Sequence, residues 1–220
     1  MSLLPAIELE TSSRPEAAVI WLHGLGADGS DFAPIVPELQ LPADMGIRFI
    51  FPHAPVMAVT VNNGYVMPAW FDILEMAIDR RVDTAQLLAS AAKIDQLIER
   101  ERKRGIDSRR IVLAGFSQGG AVAYQVGLSH PEPLGGLLAM STYFATSDSI
   151  TFSEANRALP IEMHHGIYDP VVPMALGHRA DEYLRGRGYD VVFRSYPMDH
   201  SVCPEQIAHI AEALRRFLGH

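Results

Sequence analysis

In LAGFSQGGAVAYQ, the stretch from Leu113 to Gln125, Ser117 stands between Gly115 and Gly119 where an apolar run passes into a helix-like one. Such a serine can cap the helix it precedes. It can also sit on a strained strand-to-helix turn that lifts its hydroxyl clear as a nucleophile, the Gly-x-Ser-x-Gly pattern. That pattern arises by chance in roughly one chain of this length in ten, so the choice rests on partners. A serine hydroxyl is a weak nucleophile at neutral pH and needs a histidine base held by an acid. In parallel-sheet hydrolases these follow in the order Ser, Asp or Glu, His, each just past a later strand. Asp169, in HHGIYDPVVP, and His200, in YPMDHSVCPEQI, meet that order. Singly, Asp169 reads equally well as a helix cap and His200 as a surface histidine. Together, each past a strand end, they read with Ser117 as a triad. His53, His130, His164 and His165 compete as bases and rank as structural; the last two precede the acid rather than follow it.

Attack on an acyl carbonyl also needs N–H donors for the developing oxyanion, one of them on the residue after the nucleophile. That residue is Gln118. The loop WLHGLGADGSDF, from Trp21 to Phe32, supplies the second donor, assigned to Leu25, because its glycines let the backbone approach a substrate closely. Gly24, Gly26 and Gly29 match Gly-x-Gly-x-x-Gly, but no acidic ribose partner stands near position 50, and the lysine of a phosphate-binding loop is missing. Neither a cofactor nor a metal is called for. A rival nucleophile is Cys203, three residues after His200, but it does not occupy the strand-to-helix turn and is read as structural.

These residues must be positioned by a scaffold, and short apolar runs alternating with longer amphipathic segments point to β-α-β units on a mostly parallel central sheet flanked by helices. Strands are expected over Ala18 to Leu22, Ile47 to Phe51, Arg110 to Gly115, Gly136 to Ser141, Pro160 to Gly166 and Val191 to Tyr196. Their unalternated apolar content suggests burial on both faces. Helices are expected over Asp31 to Leu39, Asp83 to Arg104, Gln118 to Ser129, Pro173 to Arg187 and Pro204 to Leu218. The charged run ERERKRG closing the second helix reads as a solvated end with basic residues near the C-terminus.

One segment leaves the alternation. From Pro55 to Asp79 the chain is apolar and aromatic, with NNG at Asn62 to Gly64 reading as a hairpin turn between two short strands. Long excursions of this kind are more often functional than idle. The segment is expected to lean over the carboxyl end of the sheet, so that Met57, Val66, Trp70, Phe71 and Ile73 form one wall of an acyl groove. Leu25 and Val171 or Val172 stand opposite. For each residue alone, a satellite core is the competing reading.

A chain of 220 residues, 48% hydrophobic, can bury one core, and residues 1–220 read as a single domain. A net charge of −8 repels nucleic acid and anionic surfaces. No run spans a bilayer and no basic region precedes an apolar start, so a cytoplasmic protein without stable membrane insertion is expected. The lone cysteine excludes an internal disulfide and agrees with a reducing compartment.

HGLGADGSDF, PAWFDI, GFSQGGAVA, HGIYDPVVP and DHSVCPEQI, in that order, resemble the small serine carboxylesterases of the phospholipase/carboxylesterase group, which includes the acyl-protein thioesterases. The resemblance covers about positions 18 to 218. It implies an α/β-hydrolase fold with no large lid domain, a triad of Ser117, Asp169 and His200, and oxyanion donors at Leu25 and Gln118. Its substrate would be a small-molecule or lipid acyl ester, thioester or lysophospholipid, and since related enzymes are often dimers it allows a homodimer. Asp199 departs from the glycine many members carry before the histidine. On the same fold, a binder of lipid-like ligands without catalysis is the alternative, and an intact triad argues against it.

Overall fold

The computed structural model describes residues 3–75 and 81–220. The chain runs β1 (Ala6–Glu10), β2 (Ala17–Leu22), α1 (Ile35–Glu38), β3 (Ile47–Pro52), then a hairpin of β4 (Val56–Val59) and β5 (Tyr65–Pro68). A short pair follows, β6 (Ile73–Glu75) and β7 (Arg81–Val82), then α2 (Thr84–Lys103), β8 (Ile111–Phe116), α3 (Gln118–Ser129) and β9 (Gly136–Met140). The last elements are β10 (Ile161–Gly166), α4 (Met174–Gly186), β11 (Val191–Tyr196) and α5 (Pro204–Phe217). Among the described residues, seven strands form one sheet in the order β1-β3-β2-β8-β9-β10-β11. Every pairing in it is parallel except β1 with β3.

The strands are apolar on both faces because helices cover both. Along β2, Ala18, Ile20 and Leu22 join α2, α3 and α4 in one cluster, while Ala17, Val19 and Trp21 join α1 and α5 in the other. Consecutive parallel strands joined by helices leave their carboxyl ends along one rim, and the residues after β2, β8, β10 and β11 meet there. No large lid domain covers that rim among the described residues, and none of their helices is long and apolar enough to cross a membrane.

Three expectations change. The helix expected over Asp31 to Leu39 shrinks to the single turn Ile35–Glu38, because Pro34 and Pro37 lack an N–H and disfavour helix in the residue before them. The edge strand β1 was not anticipated; Ile7 and Leu9 alternating with Glu8 and Glu10 is a period-2 pattern too short to stand out. The run ERERKRG is not simply a solvated end. Glu101 within it is fully buried, 2.5 Å from Arg48 across the sheet and 2.9 and 3.0 Å from Arg100 and Arg104. The NNG hairpin forms as expected, with Asn63 and Gly64 at positive φ, but 76–79 of the excursion lie outside the described residues.

A second buried carboxylate ties α5 and β11 to β10. Glu162 accepts from His164 Nε2 (2.9 Å), Arg194 Nε (2.8 Å) and Arg216 (2.6 Å). Burial alone would push its carboxyl up, but these donors outweigh burial and hold it down at about 2, against an ordinary 4.5. Burial pushes His164 down, so it serves as a neutral donor, and its other ring nitrogen carries no proton to satisfy. A depressed folded-state pKa gives stability present above the unfolded value and lost as pH falls through the folded one. Between pH 4.5 and about 2, Glu162 should therefore cost the fold about 3 kcal/mol. Thermal melts of the wild type and Glu162→Gln across that range should show the variant less stable at pH 7 but with a flatter acid slope. Parallel slopes would remove Glu162 as the cause.

Candidate active site

β8 ends at Phe116 and α3 begins at Gln118, leaving Ser117 alone to turn the chain at φ 53° and ψ −121°. A non-glycine residue there carries strain of order 1–3 kcal/mol and persists only if its surroundings impose it. They do. The Ser117 N–H donates to the Met140 carbonyl (2.9 Å), and its carbonyl accepts from the Gly120 N–H (3.0 Å) and the Thr142 hydroxyl (2.6 Å). The serine side chain makes no cap bond to α3, which disposes of the capping explanation and leaves the hydroxyl to the site. Gly115 and Gly119 are steric necessities. A Cβ on Gly115 would stand 2.5 Å from the Gly119 carbonyl oxygen, and one on Gly119 would stand 2.5 Å from the carbonyl oxygen of His23.

Asp169 and His200 meet beside this turn. Asp169, in the loop after β10, accepts from His200 Nδ1 through Oδ2 (2.7 Å). Its Oδ1 accepts from the N–H groups of Val171 and Val172 (2.9 and 2.8 Å). Burial would raise the Asp169 pKa, but the bonds from His200 and from these backbone groups outweigh it, so the carboxyl stays below its usual range. The His200 ring packs on Phe116, the residue before Ser117, with centroids 4.7 Å apart. With Nδ1–H given to Asp169, Nε2 is left as a proton acceptor.

Two of the histidines ranked as structural do hold loops of the site in place. His165 donates Nε2–H to the Val172 carbonyl (2.8 Å), closing the loop that grips Asp169, and that nitrogen stands 3.7 Å from Asp169 Oδ2. Burial, opposed by the Val172 carbonyl, pushes its pKa down. His53 accepts from the Gly29 N–H (3.1 Å), fixing the glycine-rich loop. That loop is fixed again by His23, whose Nδ1–H donates to the Gly24 carbonyl (2.7 Å) while Nε2 accepts from the Ala54 N–H (3.1 Å). Burial keeps His23 neutral, as this arrangement requires.

As the first residue of α3, Gln118 has no helical acceptor for its N–H, and among the described residues the Leu25 N–H also has none. Both residues line, with Ser117, a cavity of about 330 Å³ whose apolar wall is Leu25, Val61, Ile73, Tyr143 and Val171. The expected groove is thus met by Leu25, Ile73 and Val171 but not by the rest. Trp70, Phe71 and Val172 are fully buried and belong to the core beneath. Met57 pairs with Met67 across the hairpin, so Val66, one residue along from Met67, faces the other way and is exposed. Val61 and Tyr143 were missed, because nothing in the spacing of a turn residue or of STYF marks a wall. Cys203 precedes α5, half-buried and away from the strand-to-helix turn. Asp199 is exposed, and Asp169 rather than Asp199 holds His200. Among the described residues no group of three or more His, Cys, Asp or Glu is placed to hold a metal.

A parallel-rich sheet with a serine on a strained strand-to-helix turn, and an Asp-His pair past later strands, is the arrangement of an α/β-hydrolase. A profile of the phospholipase/carboxylesterase family matches residues 5–218, and the chain belongs to that family, hydrolases acting on esters. It is 39% identical to an acyl-protein thioesterase 1 of Gibberella zeae, over 94% of this chain and 93% of that one. It is 35% identical to the acyl-protein thioesterase 1 of Mycosarcoma maydis, over 99% of each. The crystal structure of Zea mays acyl-protein thioesterase 2 superposes with a TM-score of 0.85 at 26% identity, covering 98% of this chain and 99% of that one.

Because a Cβ on Gly119 would meet two backbone carbonyls, at 2.5 and 2.6 Å, α3 and the glycine-rich loop must part in Gly119→Ala. Overpacking of about 1–3 kcal/mol should lower Tm by roughly 2 to 10 °C. Ester hydrolysis by the remaining folded enzyme should fall at least about 100-fold. Full activity per folded molecule would show that the close approach is not needed.

Proposed function

We propose that this protein is a serine hydrolase that cleaves acyl esters, and acyl-thioesters of similar chain length, through an acyl-enzyme on Ser117. The observation that carries this reading is the Asp169–His200 pair packed against the strained turn that presents Ser117 without a capping bond. In the reaction, Ser117 Oγ attacks the acyl carbon as its proton passes to His200 Nε2. The carbonyl oxygen takes negative charge and is met by the Leu25 and Gln118 N–H groups. The tetrahedral intermediate collapses, the bond to the leaving oxygen or sulfur breaks, and His200 returns the proton to it. A water, deprotonated by His200, then attacks the acyl-serine in the same way. Asp169 stays ionised throughout and stabilises the imidazolium. The names of the thioesterase relatives support thioesters as substrates, and the cavity beside Ser117 supports short to medium acyl chains. We take the protein to act in the cytoplasm.

Ser117→Ala and His200→Ala should each lower kcat by at least about 10³-fold, with the double variant little worse than either single one. Asp169→Asn should be severe as well, since an amide favours the wrong tautomer of His200. A fluorophosphonate probe should label Ser117. A chain that binds such probes nowhere, yet retains an acyl ligand, would be the non-catalytic binder instead.

Each methylene buried in the cavity contributes about 0.8 kcal/mol, so kcat/KM should rise roughly fourfold per carbon from acetyl until the space is filled. Val61→Trp, which fills the wall from one side, should move the preferred acyl length downward without affecting acetyl esters. An unchanged chain-length profile would place the acyl chain outside this cavity.

A further inference from the structure

Trp70 is fully buried, and each of its polar atoms is spent on fixing another part of the site. Its backbone N–H donates to Gln118 Oε1 (2.8 Å), its carbonyl accepts from the Ser90 hydroxyl, and its indole Nε1–H donates to the His23 carbonyl (2.9 Å). The Gln118 amide completes the link by donating Nε2–H to the Phe71 carbonyl (2.6 Å). One residue therefore links the first residue of α3, through its backbone N–H, to the loop that follows β2, through its indole. On the loop side, the Leu25 N–H belongs to the same planar peptide as the Gly24 carbonyl, and the two point in opposite directions. That carbonyl is held by His23 Nδ1, and the His23 ring packs 5.1 Å from the Trp70 ring. Beyond Leu25, the Gly26 N–H donates to the Pro68 carbonyl (2.9 Å). The peptide that aims the Leu25 N–H is thus bracketed on both sides by bonds to the segment from Pro68 to Trp70, and that segment is anchored on Gln118.

The geometry points to Trp70 as a positioning residue that sets the separation and direction of the two oxyanion donors, Leu25 N–H and Gln118 N–H. This rests on the oxyanion assignment made above and deepens it. Trp70 touches neither the cavity nor any reacting atom, so its effect belongs to the step in which charge develops on the substrate oxygen and not to the binding of the acyl chain.

Trp70→Phe keeps a six-membered aromatic ring and the backbone bonds and removes the indole N–H together with its five-membered ring. Its kcat should fall about 10- to 100-fold with KM changed less than about twofold, equally for acetyl and octanoyl esters. Affinity for an alkylboronic acid, whose tetrahedral oxygen occupies the donor site, should fall by the same factor as kcat. Gln118→Met, which keeps its own backbone N–H but releases Trp70 and Phe71, should show the same signature if Trp70→Phe folds poorly. Turnover per folded molecule unchanged in Trp70→Phe, or a loss confined to long chains, would overturn the inference. Failure of the wider reading is separate: it would appear as fluorophosphonate labelling away from Ser117 in the wild type.

Discussion

The arrangement of the site depends on one backbone constraint, the positive φ of Ser117 between two glycines that nothing larger can replace. With α3 starting one residue after β8 ends, the helix axis passes so close to the loop after β2 that Gly119 lies against the carbonyls of Leu22 and His23. That contact brings the N-terminus of α3 and the glycine-rich loop to either side of one hydroxyl. Two residues whose N–H groups have no protein acceptor among the described residues, Leu25 and Gln118, then line the same small volume. The strain at Ser117 is balanced by three backbone-directed hydrogen bonds from β9 and the residues just after it and from α3, so the turn is held by the sheet and not by the serine side chain.

Three carboxylates are buried that could not be buried alone, Asp169 past the carboxyl end of β10 and Glu162 and Glu101 toward the amino ends of β10 and β3. Asp169 is satisfied on one oxygen by two backbone N–H groups and on the other by His200, which leaves its charge directed at the base. Glu101 is satisfied by arginines, joining the end of α2 to β3, and Glu162 by two arginines and His164, pinning α5 and β11 to β10. Two of the three buried acids hold a histidine, but only Asp169 holds one beside the turn that carries Ser117. Charge alone would not separate them; the donors do.

Much of this was legible in the sequence. Strands buried on both faces announce themselves as unbroken apolar runs, and the order Ser, Asp, His past successive strand ends follows from a parallel sheet whose carboxyl ends share a rim. What was hidden has a common cause: it depends on which side of an element a residue faces, or on a partner far along the chain. Glu101 sits in a run of charges that reads as solvent-facing, and only the approach of Arg48 from β3 makes it a core residue. His165 sits before the acid and was set aside as a base, yet it closes the acid's loop. Met57 and Val66 are both apolar residues of one hairpin, but the cross-strand register puts them on opposite faces.

The excursion after β3 is the clearest case of a composition signal with two meanings. Its apolar content suggested a single acyl wall, but a wall residue must spare its surface for the ligand, and a tryptophan whose N–H, carbonyl and indole nitrogen all have protein partners spares none. Val61 and Ile73, on either side of Trp70 in the chain, do reach the cavity. In the proposed mechanism the segment therefore alternates between shaping the space for the acyl chain and bracing the backbone assigned to the oxyanion. Its aliphatic positions can vary to change chain length while the braced residues stay fixed, so substrate range and rate are separable within one stretch of the sequence.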